Sequence, residues 1–272
     1  SFARMRIRGE RQLIAEERRL HRRPSRHGEG AGIYENEPAS SAGTFWSVLR
    51  DDPIYRQYLI WQFVIGVSNM MCLTVMAYML GDEGQLDCSY TVSILLTTAL
   101  PMGLAMASIR YWGSWLDRTH VLVFRSRHGW LITGTQLIML GGTAVAFSED
   151  GRALGLLLLG LAMTCQGLSR GGAILAWQLG HNDFASRHMT ATYMGVHVML
   201  TGVRGAFAPF FGIAMYNGWE ALALPGGVTL PGFDGIGVGV FAIAAVLSSI
   251  ACLGFASMAR AGNHAGRPVE AD

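Results

Sequence analysis

Residues 58–80 read YLIWQFVIGVSNMMCLTVMAYML, and residues 81–89, GDEGQLDCS, follow directly. A run of that length without Asp, Glu, Lys, Arg or His suffices for a helix to cross about 30 Å of hydrocarbon. The loop behind it is acidic, with Asp82, Glu83 and Asp87, whereas residues 1–57 ahead of it hold eleven arginines. An apolar run with cations at one end and anions at the other reads as an oriented membrane span.

The pattern then repeats. Residues 90–109, 129–147, 153–177, 192–214 and 236–258 are further spans, and four of the six hold no charged residue or histidine. All 21 basic residues are arginine, and 18 of them fall in alternate connections: eleven in 1–57, four in 110–128, one in 178–191 and two from 259 on. The loops 81–89, 148–152 and 215–235 hold only Arg152, against Asp82, Glu83, Asp87, Glu149, Asp150, Glu220 and Asp234. This asymmetry predicts both termini in the cytoplasm. The expected class is an all-α polytopic membrane protein, in three parts: a basic cytoplasmic segment 1–57, a six-helix bundle 58–258 and a cytoplasmic tail 259–272.

Composition agrees, with 51% apolar residues, 15% charged and 35 glycines among 272 residues, as suits close helix packing in lipid. The arginines serve topology, so the net charge of +2 gives no sign of a nucleic-acid partner. Cys72, Cys165 and Cys252 lie in spans and Cys88 alone in an outer loop, with no Cys-x-x-Cys or Cys/His cluster for metal or redox work. No cofactor is expected. Trp46, Trp61, Trp112, Trp115, Trp130, Trp177 and Trp219 lie near span ends or outside spans, where indoles anchor helices.

Residues 3–26 hold nine arginines interleaved with Met5, Ile7, Leu13, Ile14 and Leu20, a basic amphipathic pattern suited to anionic lipids. The stretch 27–43 is turn-rich, and 44–56 reads as an interfacial helix running towards Pro53.

The fifth span carries the most informative intramembrane residues. Tyr193, His197, Thr201 and Arg204 are spaced 4, 4 and 3 and share one helical face. An arginine near mid-membrane costs at least about 2.5 kcal/mol, so it must meet water, a partner or a ligand. No acidic residue lies in the six spans. The counter-charge of Arg204 is therefore either a bound anion or something structural, such as a carboxylate outside this bundle. Gly202, Gly205 and Pro209 around it suggest a loosened helix with free carbonyls. Arg170, with Gln166 and Ser169, forms a polar patch in the fourth span and reads either as packing or as a site. Gly167 and Gly171 there have the small-residue spacing of close packing. Gln62 and Asn69, seven apart on the first span, share a face that lines a cavity or bonds a neighbour. His197 is a proton relay or a hydrogen-bonding wall. Pro101 marks a kink in the second span, and His181 and Asp183 read as loop residues.

The connection Gly113-Ser-Trp-Leu-Asp117-Arg118, continuing to Arg125 and Arg127, resembles the Gly-x-x-x-Asp-Arg…Arg loop of the major facilitator superfamily. Trp177-Gln-Leu-Gly-His-Asn-Asp183-Phe-Ala, with Tyr193-Met-Gly-Val-His197 and Thr201-Gly-Val-Arg204-Gly, is similar to an uncharacterised bacterial branch of it. The resemblance implies the C-terminal six-helix half of a twelve-helix transporter, built as a 3+3 inverted repeat, with an N-terminal half as its missing partner. It places the chain in a bacterial inner membrane. On the residues themselves, Gly113 lets helix ends approach, and Asp117 pairs with Arg118 or Arg125 or accepts amides of a neighbouring helix, a cluster able to gate. The alternative is that these arginines only set topology.

Nothing supports an enzyme: there is no phosphate loop, no His-Glu-x-x-His and no pair of carboxylates inside the spans. Two functions remain. One is a secondary transporter moving a small, anionic solute by alternating access. The other is a non-transporting membrane scaffold or assembly factor of the same superfamily, which has little use for a mid-membrane arginine.

Overall fold

The computed structural model describes residues 42–81, 86–185, 189–223 and 229–264. The basic stretch 3–26 lies outside them, as do residues 265–272 of the tail. A short helix, α1 (Ala42–Asp51), stops where Asp52 caps the next. The Asp52 carboxylate accepts the Tyr55 amide at 2.8 Å and Pro53 opens α2 (Pro53–Leu80), a strong start signal that sets the helix five residues ahead of the apolar run. The interfacial helix expected over 44–56 is therefore shorter, and the last residues of that stretch belong to the first span.

Five more long helices follow: α3 (Tyr90–Leu116), α4 (Val121–Ala146), α5 (Arg152–Leu179), α6 (Thr190–Asn217) and α7 (Gly239–His264). With α2, six helices among the described residues are long and apolar enough to cross a membrane. The chain is an all-α polytopic membrane protein, apart from a two-stranded hairpin in the last loop, β1 (Leu222–Ala223) antiparallel to β2 (Thr229–Leu230).

The two prolines inside helices act differently. Pro101 offers no amide to the Thr97 carbonyl, and the chain answers with a π-helical turn over Leu95–Ala99, a local widening at the expected kink. Pro209 leaves α6 unbroken from Thr190 to Asn217. The unwound segment expected around it is absent, because one lost bond is carried by the regular turns on either side.

Helix packing orders the bundle as α3–α5–α4–α7–α2–α6, each helix having its main contacts with its neighbours in that series. In terms of spans the series is 2–4–3–6–1–5. Exchanging every span for the one three places along turns it into itself read backwards. The end helices α3 and α6 are also the least buried, at 11% and 17% of their apolar windows against 39–50% for the rest.

Close approach is made by glycine. A Cβ on Gly167 would meet the Pro101 backbone at 2.7 Å and one on Gly171 the Ala105 carbonyl at 2.8 Å, so α3 and α5 touch backbone to backbone, as the small-residue spacing implied. Two apolar cores fill the bundle. At the arginine-rich end Tyr55, Tyr58, Trp112, Phe124 and Phe255 pack together. Towards the other end the filling is Met71, Met76, Met79, Met139, Met163 and aliphatics.

The lone arginine of the acidic loops is a clamp. Arg152 Nη2 donates to the Leu86 and Asp87 carbonyls at 2.8 and 3.1 Å. Beside it Cys88 is only 6% exposed, and burial pushes its thiol up despite the neighbouring cation. Cys88 is thus a closed loop residue and not an open one.

Candidate functional site

Arg204 sits midway along α6, roughly 20 Å from either end at helical rise. It is 6% exposed. Its Nη1 donates to the Gln62 backbone carbonyl at 3.0 Å, and its Nε has no partner. The guanidinium lies over Gly66 of α2, where any Cβ would collide with it. Gly66 is therefore part of the arginine's seat. Around them Leu59, Gln62, Phe63, His197, Leu200, Thr201 and Arg204 line a pocket of about 170 Å³, counting space open to the outside. The Gln62 Oε1 and the His197 Nε2 are buried there without partners.

Thr201 and His197 are held from α5. Trp177 Nε1 donates to Thr201 Oγ1 at 3.1 Å, and the Trp177 ring meets the His197 ring edge-on at 5.4 Å. The Thr201 hydroxyl itself donates to the His197 carbonyl at 3.0 Å. Arg204, His197 and Thr201 thus meet on the one helical face, and Gln62 joins them from α2.

Tyr193 shares the helical face but not the pocket. Its hydroxyl donates to Asp52 Oδ2 at 2.9 Å, and its carbonyl accepts the Tyr55 hydroxyl at 2.8 Å. Eleven residues from Arg204, about 16 Å along the helix, it ties the start of α6 to the start of α2. Asn69 also stands apart, accepting the Gln166 amide at 2.9 Å and so joining α2 to α5. Arg170, one turn beyond Gln166, is half-buried on the α5 stripe that runs on to Trp177, and it has no bonded partner.

The residues of the expected gate lie apart. Asp117 and Arg118 are exposed, and neither makes an ion pair among the described residues. A Cβ on Gly113 would meet Leu175 at an ordinary 3.6 Å, so close approach does not require glycine there. Arg125 is not a loop cation at all: it lies in the second turn of α4 and is 2% exposed, while Arg127, two residues on, faces outward. The carboxylate that meets α4 is Asp183, whose Oδ2 accepts the Val121 amide at 2.7 Å, with His120 at 3.9 Å.

Two buried residues, His128 and Tyr58, went unnoticed in the sequence, and His181, read there as a loop residue, is buried as well. His128 Nε2 lies 2.8 Å from the Ser169 carbonyl and 3.1 Å from its hydroxyl. Tyr58, fully buried, and His181, 5% exposed, bring the Tyr58 hydroxyl and His181 Nδ1 inside unpartnered. The signal for Arg125 and His128 was their i, i+3 spacing in phase with buried Leu122 and Ile132. No group of His, Cys, Asp and Glu among the described residues suits a metal ion. Compared with protein-family models, curated proteins and solved structures, the chain matches none.

Proposed function

We propose that this chain is the C-terminal six-helix half of a major facilitator-type secondary transporter, moving a small anionic solute by alternating access. The observation that carries the reading is Arg204: a buried mid-membrane guanidinium with a free Nε, beside a pocket, in a bundle whose six spans hold no Asp or Glu within their α-helices. Such a charge is retained where it binds something.

The packing order supports the architecture. Symmetry under exchange of each span with the one three along is what two three-helix repeats produce, and an odd number of spans inverts one repeat relative to the other. The two helices at the ends of that order, α3 and α6, carry the largest open apolar faces, with Met106 at 70% and Phe210 at 75% exposed. Those faces are where a second six-helix half would pack, and Asp117 and Arg118 at the foot of α3 stand free to meet it. The solute would bind between the halves against Arg204, with Arg170, half-buried on α5, as a second candidate cation. Gating then falls to contacts at the arginine-rich end.

The test is counterflow in proteoliposomes holding the full-length protein, with labelled inorganic and short organic anions as candidates. Saturable exchange that disappears in Arg204→Gln is the expected result. A coding sequence with no further spans upstream, or full exchange by Arg204→Gln, would remove the proposal.

A further inference from the structure

A second cationic place lies nearer the arginine-rich end, between Arg125 and the Arg204 pocket. Arg125 comes from α4, Tyr58 from α2, His197 from α6 and His181 from the turn Gly180–Asp183 that follows α5. All four side chains are more than nine-tenths buried, at 2%, 0%, 2% and 5% exposure. Among the described residues Arg125 Nε and Nη2, the Tyr58 hydroxyl, His197 Nε2 and His181 Nδ1 make no hydrogen bond of good geometry, the Tyr58 hydroxyl and the Arg125 guanidinium being near enough to interact with each other. They are neighbours. Tyr58 interacts with the Arg125 guanidinium, and His197 is within electrostatic reach of Arg125, Arg204 and His181. Four elements thus turn unpartnered donors and a full positive charge into one interior.

Among the described residues no carboxylate makes an ion pair with Arg125. Among the described residues the ion pairs are Arg50–Asp51 and His120–Asp183, both far more exposed than Arg125. Asp183 is within electrostatic reach of Tyr58, but its Oδ2 already accepts the Val121 amide and its side chain is 37% exposed. Water would satisfy the donors without cancelling the charge, whereas an anion does both, and a buried unpaired cation is far costlier than a buried unpaired dipole. The burial of all four side chains argues for a small ion of single charge, since a polyanion loses far more hydration on leaving water.

We propose that Arg125, Tyr58, His181 and His197 hold a small monovalent inorganic anion, of the chloride or nitrate class, in a site separate from the Arg204 pocket. His197 belongs to both, as the wall between them. The site does not depend on transport, because a scaffold with the same interior would hold the same ion.

The experiment is thermal unfolding of the purified full-length protein in detergent, with sodium chloride, nitrate or phosphate replacing gluconate at constant ionic strength. Chloride or nitrate at tenfold over its Kd should raise Tm by about 4 °C. Arg125→Gln should remove that rise and Arg204→Gln should keep it. Tyr58→Phe, which deletes one donor and no charge, should weaken the apparent affinity several-fold, and this variant keeps the test open if Arg125→Gln does not fold. Equal stability in gluconate and chloride would mean water alone fills the site and would overturn the proposal. So would a rise that survives Arg125→Gln unchanged, or one produced by phosphate only. Loss of counterflow with the chloride effect intact would sink the transport reading and leave this one standing.

Discussion

Two polar regions lie inside this bundle, and they are built on opposite rules. In the first, Gln136 of α4 donates to the Ser68 hydroxyl of α2 at 3.2 Å and accepts the Ser248 hydroxyl of α7 at 2.7 Å, with Thr133 at 2.8 Å from Ser248. Both ends of the amide are used, and every member is neutral. In the second, Arg125, Tyr58, His181, His197 and Arg204 each keep a buried polar atom without a partner, and two of them are cations. Both regions are buried to a similar degree, so burial alone does not separate glue from site. Saturation does. A network in which each buried polar atom has a partner offers a ligand little, whereas unpartnered polar atoms around a charge are stable only if something else completes them.

That difference is open to attack by mutation. The largest effect is expected at Arg204. Arg204→Gln should lower solute exchange on the order of 100-fold, about the 3 kcal/mol a charged hydrogen-bonding group supplies to an anion, while membrane levels stay near normal. Arg204→Lys should recover part of it, because lysine keeps the charge but loses the planar fork. If instead Arg204→Gln fails to accumulate in the membrane, and neutralising a carboxylate elsewhere in the full-length protein restores it, the arginine belongs with the structural class.

A smaller loss is expected at Gly66. An alanine Cβ there would occupy the guanidinium's place, and the flexible arginine would move off the Gln62 carbonyl. Gly66→Ala should cut exchange roughly tenfold, one charged hydrogen bond's worth, with Tm unchanged within a degree or two. A fall in Tm without loss of exchange would make Gly66 a packing residue.

Sequence legibility divides along the same line. The spans were legible because lipid obliges a helix to be apolar along its whole length, and that leaves long unambiguous runs. Arg204 was legible because it interrupts such a run at its middle. Arg125 was not: four residues from the start of α4, it sits where topology alone supplies arginines, and only the phase of the helix turns it inward. His181 was hidden by its turn, since a residue between helices reads as surface until the turn is seen folded under Tyr58 and Val121. Among the described residues Asp117 makes no ion pair, for a related reason. Spacing brings Asp117 and Arg125 close in sequence, but the first lies beyond the end of α3 and the second faces the core.

The smallest expected effects fall on the saturated network, and they sharpen the comparison most. Gln136→Leu removes both of its bonds but does not strand the serines, because Ser68 also donates to the Ile65 carbonyl at 2.9 Å and Ser248 to the Ala245 carbonyl at 3.1 Å. Each hydroxyl therefore keeps a partner within its own helix. Interhelical hydrogen bonds in membrane proteins are worth about 0.6 kcal/mol on average and about 1.7 at most, so Gln136→Leu should cost about 1 kcal/mol in reversible unfolding and leave exchange untouched. Ser248→Ala should cost less. The double variant should cost less than the sum of the two single variants, since Ser248 has then already lost the glutamine and has only its bond across to Thr133 left to lose. Loss of exchange in Gln136→Leu at normal stability would mean that the amide, not only the arginines, meets the solute, and saturation would then no longer distinguish the two interiors.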